Sequence, residues 1–329
     1  TNTMPVAAYR GAGRPEACYV MERLMQAAAK QLGIDSLVLR KRNFITSEQM
    51  PYNLPSGVVL SSGEFAQTQD LAIANSDWNG FQARKQASEA RGLLRGRGLG
   101  FYVESSGGGP EEEARITIHE NGAVDVVVGT FSHGQGHRTT YAQILSETLD
   151  IDFEQINIIQ GDTDAVHFGG GTGGSRSSQM GGIAVQRAAL GVLEDAKVIA
   201  AEMLQVEVPM VAYAQGQFSA SSTDAQVSLS QVAKASQEAQ FGGAGLSKLL
   251  RYNRGEGFTF PNGCHVTEVE IDAETGVISV VAYTAVDDCG RVINPLLATG
   301  QVHGGVAQGI GQALYENVVY NEEGQLVSG

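Results

Sequence analysis

Hydrophobic positions recur at distinct spacings along this chain, and each spacing predicts a different element. Val20, Leu24, Ala27, Ala28 and Leu32 fall at helical spacing behind Pro15, a residue suited to a first helical turn. Apolar and polar residues alternate from Ala123 to Val128, the two-residue period of a half-buried strand. Residues 114–128 and 265–287 read as hairpins that turn at Glu120-Asn121-Gly122 and at Asp272–Gly276. Residues 64–92 predict one or two surface helices, with Ser76 or Asp77 as an N-cap. A strand over Ile156–Gln160, an alanine-rich helix ending near Gln205, and a strand pair with a short helix over 206–240 complete the outline. Such a mixture of strands, glycine turns and helices points to an α+β or α/β protein, taken here as α+β.

Glycine-rich segments punctuate this pattern at four places, each running into a helical stretch. The first is Tyr9–Arg14, ahead of Pro15; the second, Gly129–His137, leads to a helix over Tyr141–Leu149. The third, Gly169–Ser177, opens the alanine-rich helix, and the fourth, Asn294–Gly305, precedes a helix over Ala307–Tyr315. Gly134-Gln135-Gly136-His137, followed by Ala142-Gln143-Ile144, lines up with Gly300-Gln301-Val302-His303, followed by Ala307-Gln308. The match hints at a duplicated strand–glycine-loop–helix unit.

Composition narrows the function classes. Glycine contributes 42 of 329 residues, about 13% against a typical 7%. Acidic residues (36) outnumber Lys and Arg (22), for a net charge of −14. No basic patch offsets that charge, so no nucleic-acid or anionic-membrane partner is expected; Arg40-Lys41-Arg42 reads as a solvated helix end. With 42% hydrophobic residues the chain can bury a sizeable core, yet no apolar run is long enough to span a bilayer. No charged, apolar, small-residue leader is visible. Three cysteines, Cys18, Cys264 and Cys289, lack C-x-x-C spacing and are too few for an iron–sulfur cluster. A reduced, cytoplasmic compartment is the expectation.

The loops suggest anion chemistry. Helix N-termini present free N–H groups and a partial positive charge, and glycine lets a ligand reach the backbone. Four such loops suit a large, multiply anionic cofactor, although any one glycine can serve a tight turn alone. Gly169-x-Gly171-x-x-Gly174 formally matches a dinucleotide fingerprint, but Asp162-Thr163-Asp164 separates it from the preceding strand. Gly134 and Gly136 between His133 and His137 argue against a helical zinc pair. Arg10 and Arg176 each sit in a glycine loop, where an arginine either clamps an anion or stays solvated.

The strings AYRGAGRPE (8–16), GTFSHGQGH (129–137), GGGTGGSRSS (169–178) and DDCGRVINPLLATGQVHGGVAQGIGQALYE (287–316) carry a family resemblance. The chain resembles the molybdenum-binding large subunit of the xanthine dehydrogenase/aldehyde oxidase family, closest in flavour to the aerobic carbon monoxide dehydrogenase branch. The resemblance runs over essentially the whole chain. It implies a molybdenum cofactor-binding fold in two lobes, residues 1–91 belonging to the first and residues 92–329 to the second. It also implies hydroxylation of an aldehyde or N-heteroaromatic substrate with water, at molybdenum held by molybdopterin cytosine dinucleotide. Electrons would leave through [2Fe–2S] clusters and FAD on partner subunits, alongside the remainder of the large subunit.

Residue by residue, the resemblance gives Gln135, with Gly136, and Gln301 as pterin contacts. Thr172, Gly173, Gly174, Ser175, Arg176 and Ser177 match the loop that grips the pyrophosphate and nucleotide arm. Arg10 matches a substrate-facing arginine, and Phe101 and Tyr102 fall where the family places an aromatic substrate wall. Gly11 stands where authentic carbon monoxide dehydrogenases carry a copper-holding cysteine, which argues against carbon monoxide as substrate. The family's upstream G-G-G-F-G segment and its G-x-G-E glutamate, the general base, match no residue of this sequence. The expectation is therefore a chain inactive by itself, and the alternative is a non-catalytic cofactor-binding or assembly domain.

Overall fold

A computed structural model describes residues 7–255 and 257–328. In chain order the main elements are α1 (Arg14–Leu32), α2 (Ser36–Asn43), β1 (Tyr52–Asn53), β2 (Val59–Leu60), α3 (Phe65–Asn75) and α4 (Phe81–Glu89). Then come β3 (Leu93–Val103), β4 (Glu111–Ile118), β5 (Val124–Val128), α5 (His137–Leu149), β6 (Ile156–Ile159) and α6 (Ile183–Leu204). The chain continues with β7 (Val211–Ala214), β8 (Gln217–Ala220), β9 (Gln226–Ser228) and α7 (Leu229–Ala235). It closes with β10 (Leu246–Asn253), β11 (Asn262–Asp272), β12 (Ile278–Asp288) and α8 (Pro295–Leu314). This is an α+β chain. The described residues form two compact units, one of residues 7–104, 259–292 and 298–328, the other of residues 105–258 and 293–297. The division thus falls after Glu104 and takes in a later return of the chain, whereas the expected lobe boundary lies at 91/92.

The first unit is built on the antiparallel sheet β12-β11-β3. Strand alternation gives this sheet two unlike faces. Leu99, Phe101, Cys264 and Val266 share the apolar face, which packs with Ala72 of α3. Tyr102, His265 and Asp287 share the other. Helix α1 lies along the open edge of β3, where Glu22 Oε1 accepts the Phe101 amide at 3.1 Å and satisfies an edge donor. Beside it, Arg84 and Arg95 both bind Glu268, at 2.6 Å each, and Arg91 and Arg95 bind Glu270.

The second unit is a four-stranded sheet, order β10-β4-β5-β6, antiparallel except for the β5–β6 pair. Its buried face carries Ala114, Ile116, Ile118, Val124, Val126 and Ile158. Alanines 184, 188, 189, 196 and 200 line the buried side of α6, and their small side chains let the helix approach the sheet closely. Helix α5 packs through Tyr141, Leu145 and Leu149, and the β7-β8-β9 sheet adds the buried Phe218.

Two expectations are corrected. The fourth glycine segment is helix, not loop. The Asn294 side chain caps α8 by accepting the Leu297 amide at 3.0 Å, and Pro295 begins the first turn. Gly300, Gly304 and Gly305 then continue as ordinary helical residues, at roughly 1 kcal/mol each relative to alanine. Gln301 therefore lies inside a helix whereas Gln135 lies in a loop, and the two matched strings adopt different local structures. Arg40 is not solvated: it is 3% exposed and paired with Glu22, while its neighbour Lys41 reaches Asp70 at 2.5 Å. The periodic Val20, Leu24 and Leu32 of α1 remain exposed, and only Ala29 of that helix is buried.

Candidate functional site: the glycine loops and their cofactor family

In the second unit, two glycine loops leave neighbouring parts of one sheet. The loop after β5 begins at Gly129, and the loop before α6 contains Gly169 at φ +153°. A Cβ on Gly129 would lie 2.5 Å from the Gly169 Cα, so only glycine permits this approach. Thr172 ties the loops together by accepting the Phe131 amide at 3.2 Å and donating to the Phe131 carbonyl, with Ser177 Oγ 3.0 Å away.

Between these ties Gly173, Gly174 and Ser175 are exposed. Gly174 (φ +66°) and Ser175 (φ +54°) are both left-handed. Among the described residues, no carbonyl or side chain accepts from the amides of Gly173, Gly174 or Ser175. The following helical turn, Ser177–Gly182, is a π-helix with i to i+5 bonding. An exposed run of free amides ahead of a helix suits an anionic oxygen cluster such as pyrophosphate.

Arg176 is different from what its loop position suggests. It is 4% exposed, donates to the Glu111 carbonyl, and places Nη2 3.2 Å from Glu112 Oε2. Its charge is thus engaged beneath the loop by a buried carboxylate. Glu112 is fully buried on β4, and burial raises its pKa against the opposing pull of the Glu113 and Gly129 amides and Arg176. Sequence reading passed over Glu112, although the signal was there: it falls in phase with Ala114, Ile116 and Ile118 on the apolar face.

Gln135 is half-buried, and its Oε1 accepts the His133 amide, so the side chain folds back on its own loop. Gly136 (φ +78°) caps α5, and a Cβ there would meet Leu297 at 2.8 Å. His137 is buried and His133 exposed, and no group of three His, Cys, Asp or Glu able to hold a metal occurs among the described residues.

The first unit holds the other matched residues. Arg10 is exposed and donates to the Gln301 carbonyl at 2.8 Å; Gly304 and Gly305 flank its guanidinium. Phe101 stacks in an aromatic cluster, 4.8 Å from Phe44 and 6.2 Å from Phe65 between centroids. Tyr102, on the opposite face, donates to Asp287 at 2.7 Å, and Asp287 also meets His265 at 2.9 Å. Neighbours on a strand leave opposite faces, so Phe101 and Tyr102 do not line one wall.

A model of the molybdopterin cofactor-binding domain matches residues 71–329, and a second model of that description matches residues 1–44. The chain belongs to the molybdenum-binding large-subunit family. It is 33% identical over 337 residues to the 6-hydroxypseudooxynicotine dehydrogenase complex subunit gamma of Paenarthrobacter nicotinovorans, covering 100% of this chain and 42% of that one. It is 34% identical over 341 residues to the carbon monoxide dehydrogenase large chain of Afipia carboxidovorans, covering 97% and 42%. Among solved structures, quinoline 2-oxidoreductase from Pseudomonas putida 86 superposes with a TM-score of 0.88 at 31% identity, over 98% of this chain and 43% of that one. Carbon monoxide dehydrogenase from Oligotropha carboxidovorans gives 0.86 at 33% identity, over 98% and 42%. The chain spans about two fifths of the length of these relatives. No helix among the described residues is long and apolar enough to cross a membrane.

Proposed function

We propose that this chain supplies a cofactor cradle of a molybdenum hydroxylase, with the Gly173–Ser175 amides holding the pyrophosphate of molybdopterin cytosine dinucleotide. The exposed run of three unpartnered amides carries the reading, because it matches a dianionic bridge in both charge and hydrogen-bonding sense. Thr172 and Ser177 brace the run, and Gln135 and Gln301 are the pterin contacts. When bound, the group supplies the molybdenum at which substrate carbon is oxidised with water, and electrons pass to iron–sulfur and FAD partners.

An N-heteroaromatic compound or an aldehyde is the proposed substrate class. Relatives named for 6-hydroxypseudooxynicotine and quinoline support it, and so does Gly11. At φ +95°, with a Cβ only 2.7 Å from Pro15, position 11 disfavours a cysteine side chain. Arg10 is the proposed substrate-facing cation. The sequence holds no residue matched to the family's glutamate base, so the 329-residue chain is proposed to give no turnover alone. The test is metal and nucleotide analysis of the full-length large subunit in its complex, with dye reduction on quinoline, nicotine and benzaldehyde. Equimolar molybdenum and released cytidine monophosphate with turnover on one of these substrates supports the reading; a metal-free, nucleotide-free complex overturns it.

A further inference from the structure

Glu112 sits beneath both loops of the second unit. Its Oε1 accepts the Glu113 amide at 3.0 Å and packs against Gly129, the first residue of the Gln135 loop, whose own amide donates to the Glu113 carbonyl at 3.4 Å. Its Oε2 lies 3.2 Å from Nη2 of Arg176, the residue that ends the exposed amide run. One fully buried carboxylate therefore packs against the root of one loop and pairs with the anchor of the other.

The packing around this pair leaves no slack. A Cβ on Gly129 would overlap Glu112 Oε1, and a Cβ on Gly170 would overlap the Arg176 guanidinium. A Cβ on Gly108 would come within 2.6 Å of the Gly173 carbonyl and 3.2 Å of Arg176 Cβ. The Gly107 amide donates to the Gly174 carbonyl at 3.1 Å. The Gly174 carbonyl is thus held from below, and the Gly173 carbonyl packs against Gly108, while the amides of Gly173–Ser175 have no acceptor among the described residues. Glu112 Oε2 and Arg176 Nε make no aligned hydrogen bond, so the pair is joined chiefly by charge in a site from which water is excluded.

We infer that Glu112 is a positioning residue: through its pairing with Arg176 and its packing against Gly129 it sets the Gly173–Ser175 amides in their anion-binding arrangement. The inference rests on the cofactor-loop reading above and adds that Arg176 serves the pyrophosphate by shaping the loop, its own charge being met by Glu112. A buried carboxylate that loses its charge leaves the arginine uncompensated, and the loop must then shift to solvate it.

The experiment uses the 329-residue chain and inorganic pyrophosphate as the probe, followed by calorimetric titration and by amide shifts of Gly173–Ser175. The wild-type chain is expected to bind with shifts at those three amides. Glu112→Gln and Arg176→Gln are each expected to weaken binding about tenfold or more. The double variant is expected to be no weaker than the worse single variant, because the two residues act as one unit. A merely structural role would lower the melting temperature and leave pyrophosphate affinity of the folded chain unchanged; that result overturns the inference. Additive losses in the double variant overturn it as well. Should Glu112→Gln not fold, Glu112→Asp keeps the charge with a shorter reach; unaltered affinity in that variant overturns the inference too. Absence of wild-type binding refutes the cofactor-loop reading itself, and the inference with it.

Discussion

The Arg10 guanidinium donates to the Gln301 carbonyl oxygen at 2.8 Å, joining two positions 291 residues apart in the chain. The arginine is held by a helix backbone and remains exposed, so it is oriented without being neutralised. In the full-length enzyme, Arg10→Ala should leave molybdenum content unchanged and lower kcat/KM by about ten- to hundredfold, the loss expected for one charged hydrogen bond. Metal analysis beside steady-state rates checks both halves. Loss of molybdenum with unchanged turnover per molybdenum would reverse the assignment.

Two glycines of the cradle should answer differently to alanine. Gly129→Ala places a methyl 2.5 Å from Gly169 Cα and the Phe168 carbonyl, and should destabilise the chain by about 1–3 kcal/mol. Gly173→Ala meets nothing within 4 Å at an ordinary φ, and should change stability by no more than about 0.5 kcal/mol. Urea unfolding of both variants measures the contrast. Equal losses would mean that the loops are not packed against each other as described.

His137 gives the fold an acid-side dependence. Burial, and secondarily His133, holds its pKa below the ordinary 6.5, and it lies in the first turn of α5, where positive charge is disfavoured. The unfolded chain binds the proton more readily, so this contribution is complete above 6.5 and is lost as pH falls through the lower folded value. Melting temperature should therefore fall from about pH 7.5 to pH 5, and His137→Gln should flatten that dependence. An unchanged slope in the variant would assign the effect to other groups.

Much of this was legible in the sequence, and the exceptions share a cause. The 114–128 and 265–287 hairpins carry their own turns and alternation, and both form where expected. The Gly169–Ser177 loop declared itself by glycine density and by the alanine-rich helix behind it. Asn294–Gly305 misled for the same reason: glycine density reads as loop, while the Asn294 cap and Pro295 decide for helix. Arg40 and Arg176 were misjudged because a lone arginine carries no mark of its partner. Glu22 and Glu112 lie 18 and 64 positions away in sequence, and only folding brings them near. Phe101 and Tyr102 could have been separated by strand parity alone.

The three thiols should differ sharply in reactivity. Cys289 is exposed, whereas burial pushes Cys264 up to about 12 and also raises Cys18, with Glu22 adding to the effect. Since the thiolate is the reactive form, iodoacetamide near pH 8 should label Cys289 first, Cys18 slowly and Cys264 only on unfolding. Peptide mapping over a time course reads the order. Early labelling of Cys264 would show that the apolar face of the first unit opens readily.

The central claim is that the exposed amides of Gly173–Ser175 hold the pyrophosphate of the molybdenum cofactor. Gly173→Val tests it most directly, because the position has open space for a side chain, yet that side chain would stand where the ligand must approach. The account predicts a full-length variant that folds and assembles with its partners while molybdenum and releasable cytidine monophosphate fall together to a small fraction of wild type. Full and equimolar loading of both in Gly173→Val would contradict it.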